Sequence, residues 1–98
     1  MTDRADFDIT DRPQASRYEA TTTDGDVIGV LEYRREDGVV VMPSTRVQPA
    51  FRGHGIAAAL VRRALDDARV AGALVVPVCW YVAEYVERHP EYANLVDE

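Results

Sequence analysis

Lysine is absent. All eleven basic side chains are arginine, set against seventeen acidic ones, which leaves a formal net charge of −6 with histidine neutral. That balance excludes a nucleic-acid binder working by bulk charge, because neutralising phosphates takes a basic face. It leaves room for a local arginine spot on one small anion. The single cysteine, Cys79, excludes an intrachain disulfide and a cysteine-rich zinc site. The two histidines, His54 and His89, stand at no usual metal-ligand spacing from it or from each other, so no metal is expected. No apolar run approaches the roughly 20 residues of a membrane span. The acidic, polar start from Met1 to Thr10 does not resemble a signal peptide. Repeats, linkers and low-complexity stretches are missing too. The expectation is a cytoplasmic chain with no membrane or nucleic-acid partner.

What is there is 98 residues, 47% hydrophobic and 29% charged, enough for one domain over 1–98 with a core of its own. Its two halves are unlike. Residues 1–14 carry Asp3, Asp6, Asp8, Asp11 and Pro13 around isolated Phe7 and Ile9, and read as a loose lead-in with at most a short edge strand, Phe7 to Thr10. Arg17 to Thr22 has weak strand alternation, and Asp24-Gly25-Asp26 is a hairpin signal. Val27 to Tyr33 suits a central strand, and Arg35 to Gly38 a second turn. Val39 to Met42 opens a further strand that reaches Val47 past Pro43, which cannot donate a ladder bond and so predicts a break or bulge. From Gly55 the period changes. Ile56, Leu60, Ala64, Leu65 and Ala68 share one helix face, with Arg62, Arg63, Asp66, Asp67 and Arg69 on the other, where Arg62–Asp66 and Arg63–Asp67 have ion-pair spacing. Gly72 ends that helix. Ala73 to Val78 reads as a buried strand. Tyr81 to Arg88 reads as a helix with Val82, Tyr85 and Val86 inward, stopped by Pro90. The fold class is α+β: an antiparallel meander of three to four strands, then helix–strand–helix.

The chemistry concentrates in Val47-Gln48-Pro49-Ala50-Phe51-Arg52-Gly53-His54-Gly55-Ile56-Ala57. A strand ends, a tight Arg-Gly-x-Gly turn follows, and a helix starts with no Ser, Thr, Asp or Asn to cap it. Its first N–H groups are orphaned and coincide with the positive end of the helix dipole. Gly53 and Gly55 let a ligand reach the backbone. Together these features suit a pyrophosphate, with Arg52 and His54 at its rim. A P-loop is impossible without lysine. Gly53-x-Gly55-x-x-Ala58 formally satisfies the relaxed dinucleotide fingerprint, but the next strand carries no acid, and an antiparallel meander does not fit a doubly wound sheet.

Arg52-x-x-Gly55-x-Ala57 matches the Arg/Gln-x-x-Gly-x-Gly/Ala signature of the GCN5-related N-acetyltransferases, and the chain resembles that superfamily. Thr45-x-Val47, Val76-Pro77-Val78-Cys79-Trp80-Tyr81-Val82 and Arg88-His89-Pro90-Glu91-Tyr92 look like its short branch of roughly 100-residue members, over about residues 15–95. The resemblance implies a minimal fold of that type, with a mixed sheet splayed into a V between the Val39–Val47 strand and the one after the helix. It implies acetyl-CoA as cosubstrate. Backbone amides of Gly53, His54, Gly55, Ile56, Ala57 and Ala58 would hold the pyrophosphate. The strand through Thr45, Arg46 and Val47 would run beside the pantetheine. A tyrosine after the last motif strand would protonate the departing thiolate, Tyr85 matching best and Tyr81 second.

Cys79, close to where the acetyl group should lie, is either an acetyl-accepting nucleophile activated by a neighbour such as His89, or a small buried hydrophobe. His89 also reads as a helix-end residue. Glu32, Glu84 and Glu87 are bases by type alone. The expected function is acetyl-CoA-dependent N-acetyl transfer to an amine, the negative charge favouring a cationic acceptor. The alternatives are a non-enzymatic CoA-binding or sensing module and a Cys79-dependent acyl-transfer enzyme. A monomer and a homodimer paired through the meander's edge are both open.

Overall fold

Strand formers fill the first half of the chain, and in the computed structural model, which describes residues 6–96, they build a sheet. Strands β1 (Phe7–Arg12), β2 (Arg17–Thr22), β3 (Val27–Glu36) and β4 (Val39–Val47) are antiparallel neighbours in chain order. Helix α1 (Ile56–Ala71) then carries the chain back to β5 (Leu74–Val76), which pairs parallel to β4, and α2 (Trp80–Arg88) follows. The sheet is mixed, in the order β1-β2-β3-β4-β5, and the fold is α+β. The meander has four strands. β1 runs two residues beyond the expected edge strand and pairs with β2 along its whole length, where a loose lead-in was expected. Met1 to Ala5 lie outside the described residues.

Pro43 produces the expected irregularity. Glu32 pairs with Ser44 and Arg34 with Val41, so Met42 and Pro43 together stand opposite Tyr33, a bulge that spares the proline a missing bond. Tyr33 gives its N–H to Ser16 O on the β2 side, at 3.0 Å. The Ala73–Val78 run is only partly the buried strand expected. β5 is three residues long, and of these Val75 is fully buried while Leu74 is 40% exposed.

The predicted face of α1 is the buried one: Ile56, Leu60, Ala64, Leu65 and Ala68, joined by Val61. They pack on Tyr18, Ala20, Leu31, Met42 and Val75 of the sheet, with Val82 and Val86 of α2 in the same cluster. Close approach depends on Gly29 of β3, where a Cβ would stand 3.0 Å from Ile56 Cγ2 and 3.3 Å from Leu60 Cδ1. Three phenols fasten strands and helices together: Tyr18 donates to Asp67 (2.7 Å), Tyr33 to Asp11 (2.6 Å) and Tyr92 to Asp66 (2.7 Å). Of the two expected ion pairs on α1, Arg63–Asp67 forms at 3.0 Å. Asp66 instead serves Tyr92, and Arg62 turns its Nε to the Tyr85 hydroxyl at 3.4 Å.

Candidate active site

β4 and β5 stay in register from Val39–Leu74 to Val41–Val76, and Cys79 adds one bond, N–H to Met42 O at 2.9 Å. Beyond that point β4 continues to Val47 while the chain turns into α2. The splay opens a cleft of about 800 Å³. One wall is Thr45 to Gln48 with the start of β3 behind it. Another is Phe51 to Gly53 and Gly55 to Ala58. The third is Cys79, Trp80 and Tyr81 at the start of α2.

Gln48 donates its backbone N–H to Ile28 O at 2.9 Å, toward β3. Alternation along an antiparallel ladder therefore turns the N–H groups of Val47 and Thr45 toward the cleft, where β5 no longer reaches. The end of the cleft beside α1 collects positive potential. Gly55 is the helix N-cap, with no side-chain cap and no acid in the first turn. The first internal bond there is Ala59 N–H to Gly55 O at 3.0 Å, so the preceding amides have no acceptor within the helix. Gly53 and Gly55 take the left-handed conformation, φ 85° and 79°, and a Cβ on either would meet nothing within 4 Å. Their side-chain directions face open space, and glycine keeps that space clear. Arg46 and Arg52 also line the cleft. Arg46 also bridges to Glu32 at 3.2 Å, and Arg52 reaches Val47 O at 3.4 Å. Glu32 is held below the usual carboxylate range, first by the Ser44 hydroxyl and then by Arg46.

The structure thus brings together Thr45, Arg46, Val47, Arg52, Gly53, Gly55, Ile56, Ala57, Ala58 and Cys79. His54 lies in the turn but off the cleft wall. Tyr85 is also off the wall. It is buried between α1 and the C-terminal turn Pro90–Leu95, its ring stacked on His89 at 3.9 Å. Tyr81 is the tyrosine that faces the cleft, and burial, with Tyr85 and Glu84 adding, pushes its phenol up. Cys79 is 8% exposed, its Sγ 3.6 Å from Thr45 Oγ1. His89 stands at the other end of α2, about 15 Å away by helix rise, so the two do not form a nucleophile–base pair. The reading of single residues missed Trp80. Its indole is 74% exposed at the cleft, edge-on to Tyr81, and the signal available was its position outside the apolar phase of α2. Among the described residues no metal-binding cluster occurs, and no helix is long and apolar enough to cross a membrane.

A mixed sheet splayed beside an uncapped helix N-terminus is the arrangement expected from the resemblance to the acetyltransferases. The chain belongs to the GCN5-related N-acetyltransferase family, whose profile matches residues 17–95. It is similar in fold to a GCN5-like protein from Staphylococcus aureus solved by NMR, at 12% identity over 98% of this chain and 91% of that one, TM-score 0.69. It is also similar to Rv2747 from Mycobacterium tuberculosis, solved in complex with CoA and a further compound, at 27% identity over 80% of this chain, TM-score 0.59. The similarity spans half the length of Rv2747. No curated protein matches the chain in sequence.

Proposed function

We propose that this protein transfers the acetyl group of acetyl-CoA to an amine, and that the pyrophosphate is held by the turn and helix start from Gly53 to Ala58. One observation carries the reading: two left-handed glycines leave the uncapped start of α1 open to the cleft, which Arg46 and Arg52 also line. Rv2747, similar in fold, was solved with CoA. The unpaired backbone of Thr45 and Val47 suits an extended pantetheine, and the Val47 N–H suits the oxyanion that forms when the amine nitrogen attacks the thioester carbonyl. As the C–S bond breaks, the thiolate takes a proton from the Tyr81 phenol, the amine loses one to solvent, and solvent reprotonates the phenolate. The products are the amide and the free thiol. The net charge of −6 steers cationic acceptors, a polyamine or a basic peptide, toward the protein.

Calorimetric titration with acetyl-CoA and CoA tests the binding half. Micromolar-range affinity that Gly55→Glu abolishes is expected, and no binding to the unsubstituted protein sinks the reading. Binding without turnover of any amine would make it a CoA-binding module. A second reading rests on the placement of Cys79 within the cleft wall beside Thr45. There the Cys79 sulfur attacks the thioester carbonyl, its proton going to the departing CoA sulfur, and the amine then attacks the acetyl-cysteine, giving the amide and returning a proton to the cysteine. Cys79→Ala separates the two: loss of transfer with binding intact favours the cysteine, and unchanged transfer favours direct attack.

A further inference from the structure

Near the β3–β4 hairpin the sheet has a face on which no helix of the described residues packs. Val40, Met42 and Val75 point into the core with α1. Strand alternation turns their neighbours the other way: Val39 and Val41 on β4, Leu74 and Val76 on β5. The cross-strand registers set them in two rows. One row is Glu36, Val39, Leu74, and the other is Arg34, Val41, Val76. Within these rows Leu74 is 40% exposed. Arg34 and Glu36 are exposed at one end of the rows, ion-paired at 2.6 Å.

We infer that this face is a homodimer interface, two copies packing sheet to sheet about a two-fold axis that lies parallel to the rows and between them. The argument is self-complementarity. In a two-fold contact, residue i meets j and j meets i. Rotation about that axis lays each row on the other row of the second copy. Val39 then faces Val41, Leu74 faces Val76, and Arg34 faces Glu36. The aliphatic columns bury one another at about 10 Å, the spacing of stacked sheets. The charged ends attract across the interface, whereas an end of one sign would repel a second copy. The cleft opens at the other end of β4 and stays free. The inference does not depend on acetyl transfer, and it uses a different surface from the meander edge.

Sedimentation of the whole chain over a concentration series tests it, with Arg34→Glu and Glu36→Arg made singly and then mixed. The unsubstituted protein is expected to dimerise. Each single variant sets like charges over each other and is expected to weaken dimerisation at least about tenfold. The equimolar mixture restores opposite charges and is expected to dimerise again. Both positions are exposed, and circular dichroism verifies the fold. Leu74→Ser changes no charge and is expected to weaken the dimer on its own. A protein monomeric at every concentration overturns the inference and leaves the patch to another occupant, the acetyl acceptor among them. Dimers that survive both single substitutions place the interface elsewhere and overturn it. A mixture that stays monomeric overturns the proposed axis.

Discussion

Tyr81 and Tyr85 sit about one turn apart on α2 in different surroundings. Tyr85 lies on the apolar face that the sequence pattern picks out with Val82 and Val86, and all three are buried. A side chain committed to the core on that face does not line the cleft, which is why the proposed acid is Tyr81 and not Tyr85, the better match by distance along the chain. Tyr81→Phe is expected to lower kcat about 10²-fold at unchanged acetyl-CoA affinity, as loss of a general acid does. Tyr85→Phe, which loses only a long bond from the exposed Arg62, is expected to leave kcat alone; steady-state kinetics on both variants decides, and equal losses would refute the assignment. Gly53 makes a separate point. Its φ is 85° and a Cβ there meets nothing, so Gly53→Ala should cost stability through backbone strain alone, about 1–2 kcal/mol in urea denaturation.

The seam between α1 and β3 is set by Gly29. Its missing side chain lets Ile56 and Leu60 rest on the sheet, so Gly29→Ala is expected to destabilise by about 1–3 kcal/mol through overpacking, read from the urea midpoint. An unchanged midpoint would show that α1 can shift without cost. Elements whose signals are local were legible in the sequence. β2 has the bounds read for it, and α1 runs between Gly55 and Gly72 as its period and glycines indicate. The bulge follows from Pro43 alone. Elements defined by a distant partner were less legible. β1 holds together through registers such as Ile9–Ala20 and through the Tyr33–Asp11 bond, and no local pattern carries those. The apolar run around β5 showed that both faces are greasy, but not that a helix covers only one of them. The turn at the start of α1 was legible for the same reason as α1, its glycines and missing cap being consecutive residues, whereas the splay that opens the cleft came only with the family resemblance, since its walls meet from distant parts of the chain.

Over the whole molecule, charge sets a stability window from both sides. Glu19 is buried to 8% exposure between Arg17 and Arg12, and the Arg17 hydrogen bond, opposed by burial and helped by Arg12, holds its carboxyl below the usual range. A lowered folded pKa stabilises above the unfolded value, about 4.3, and that contribution fades as pH falls through the folded value. Glu32 acts in the same direction. The phenols act in the other. Burial and then Asp11 push Tyr33 up to about 12, and the Asp66 hydrogen bond and then burial push Tyr92 up to about 12. Their contribution is whole below the unfolded value, about 10, and is lost as pH rises toward 12. Denaturant midpoints across pH should therefore show a plateau with two falling limbs. Glu19→Gln should flatten the acid limb and Tyr33→Phe the alkaline one; limbs indifferent to both would place the titrating groups elsewhere.

Trp80 is the chain's sole tryptophan, and it stands exposed in the wall of the cleft. Its emission therefore reports on one place only. In the free protein it should be red-shifted and open to collisional quenchers such as acrylamide. A ligand settling beside Tyr81 should shield it, so the molecule carries its own optical gauge of cleft occupancy.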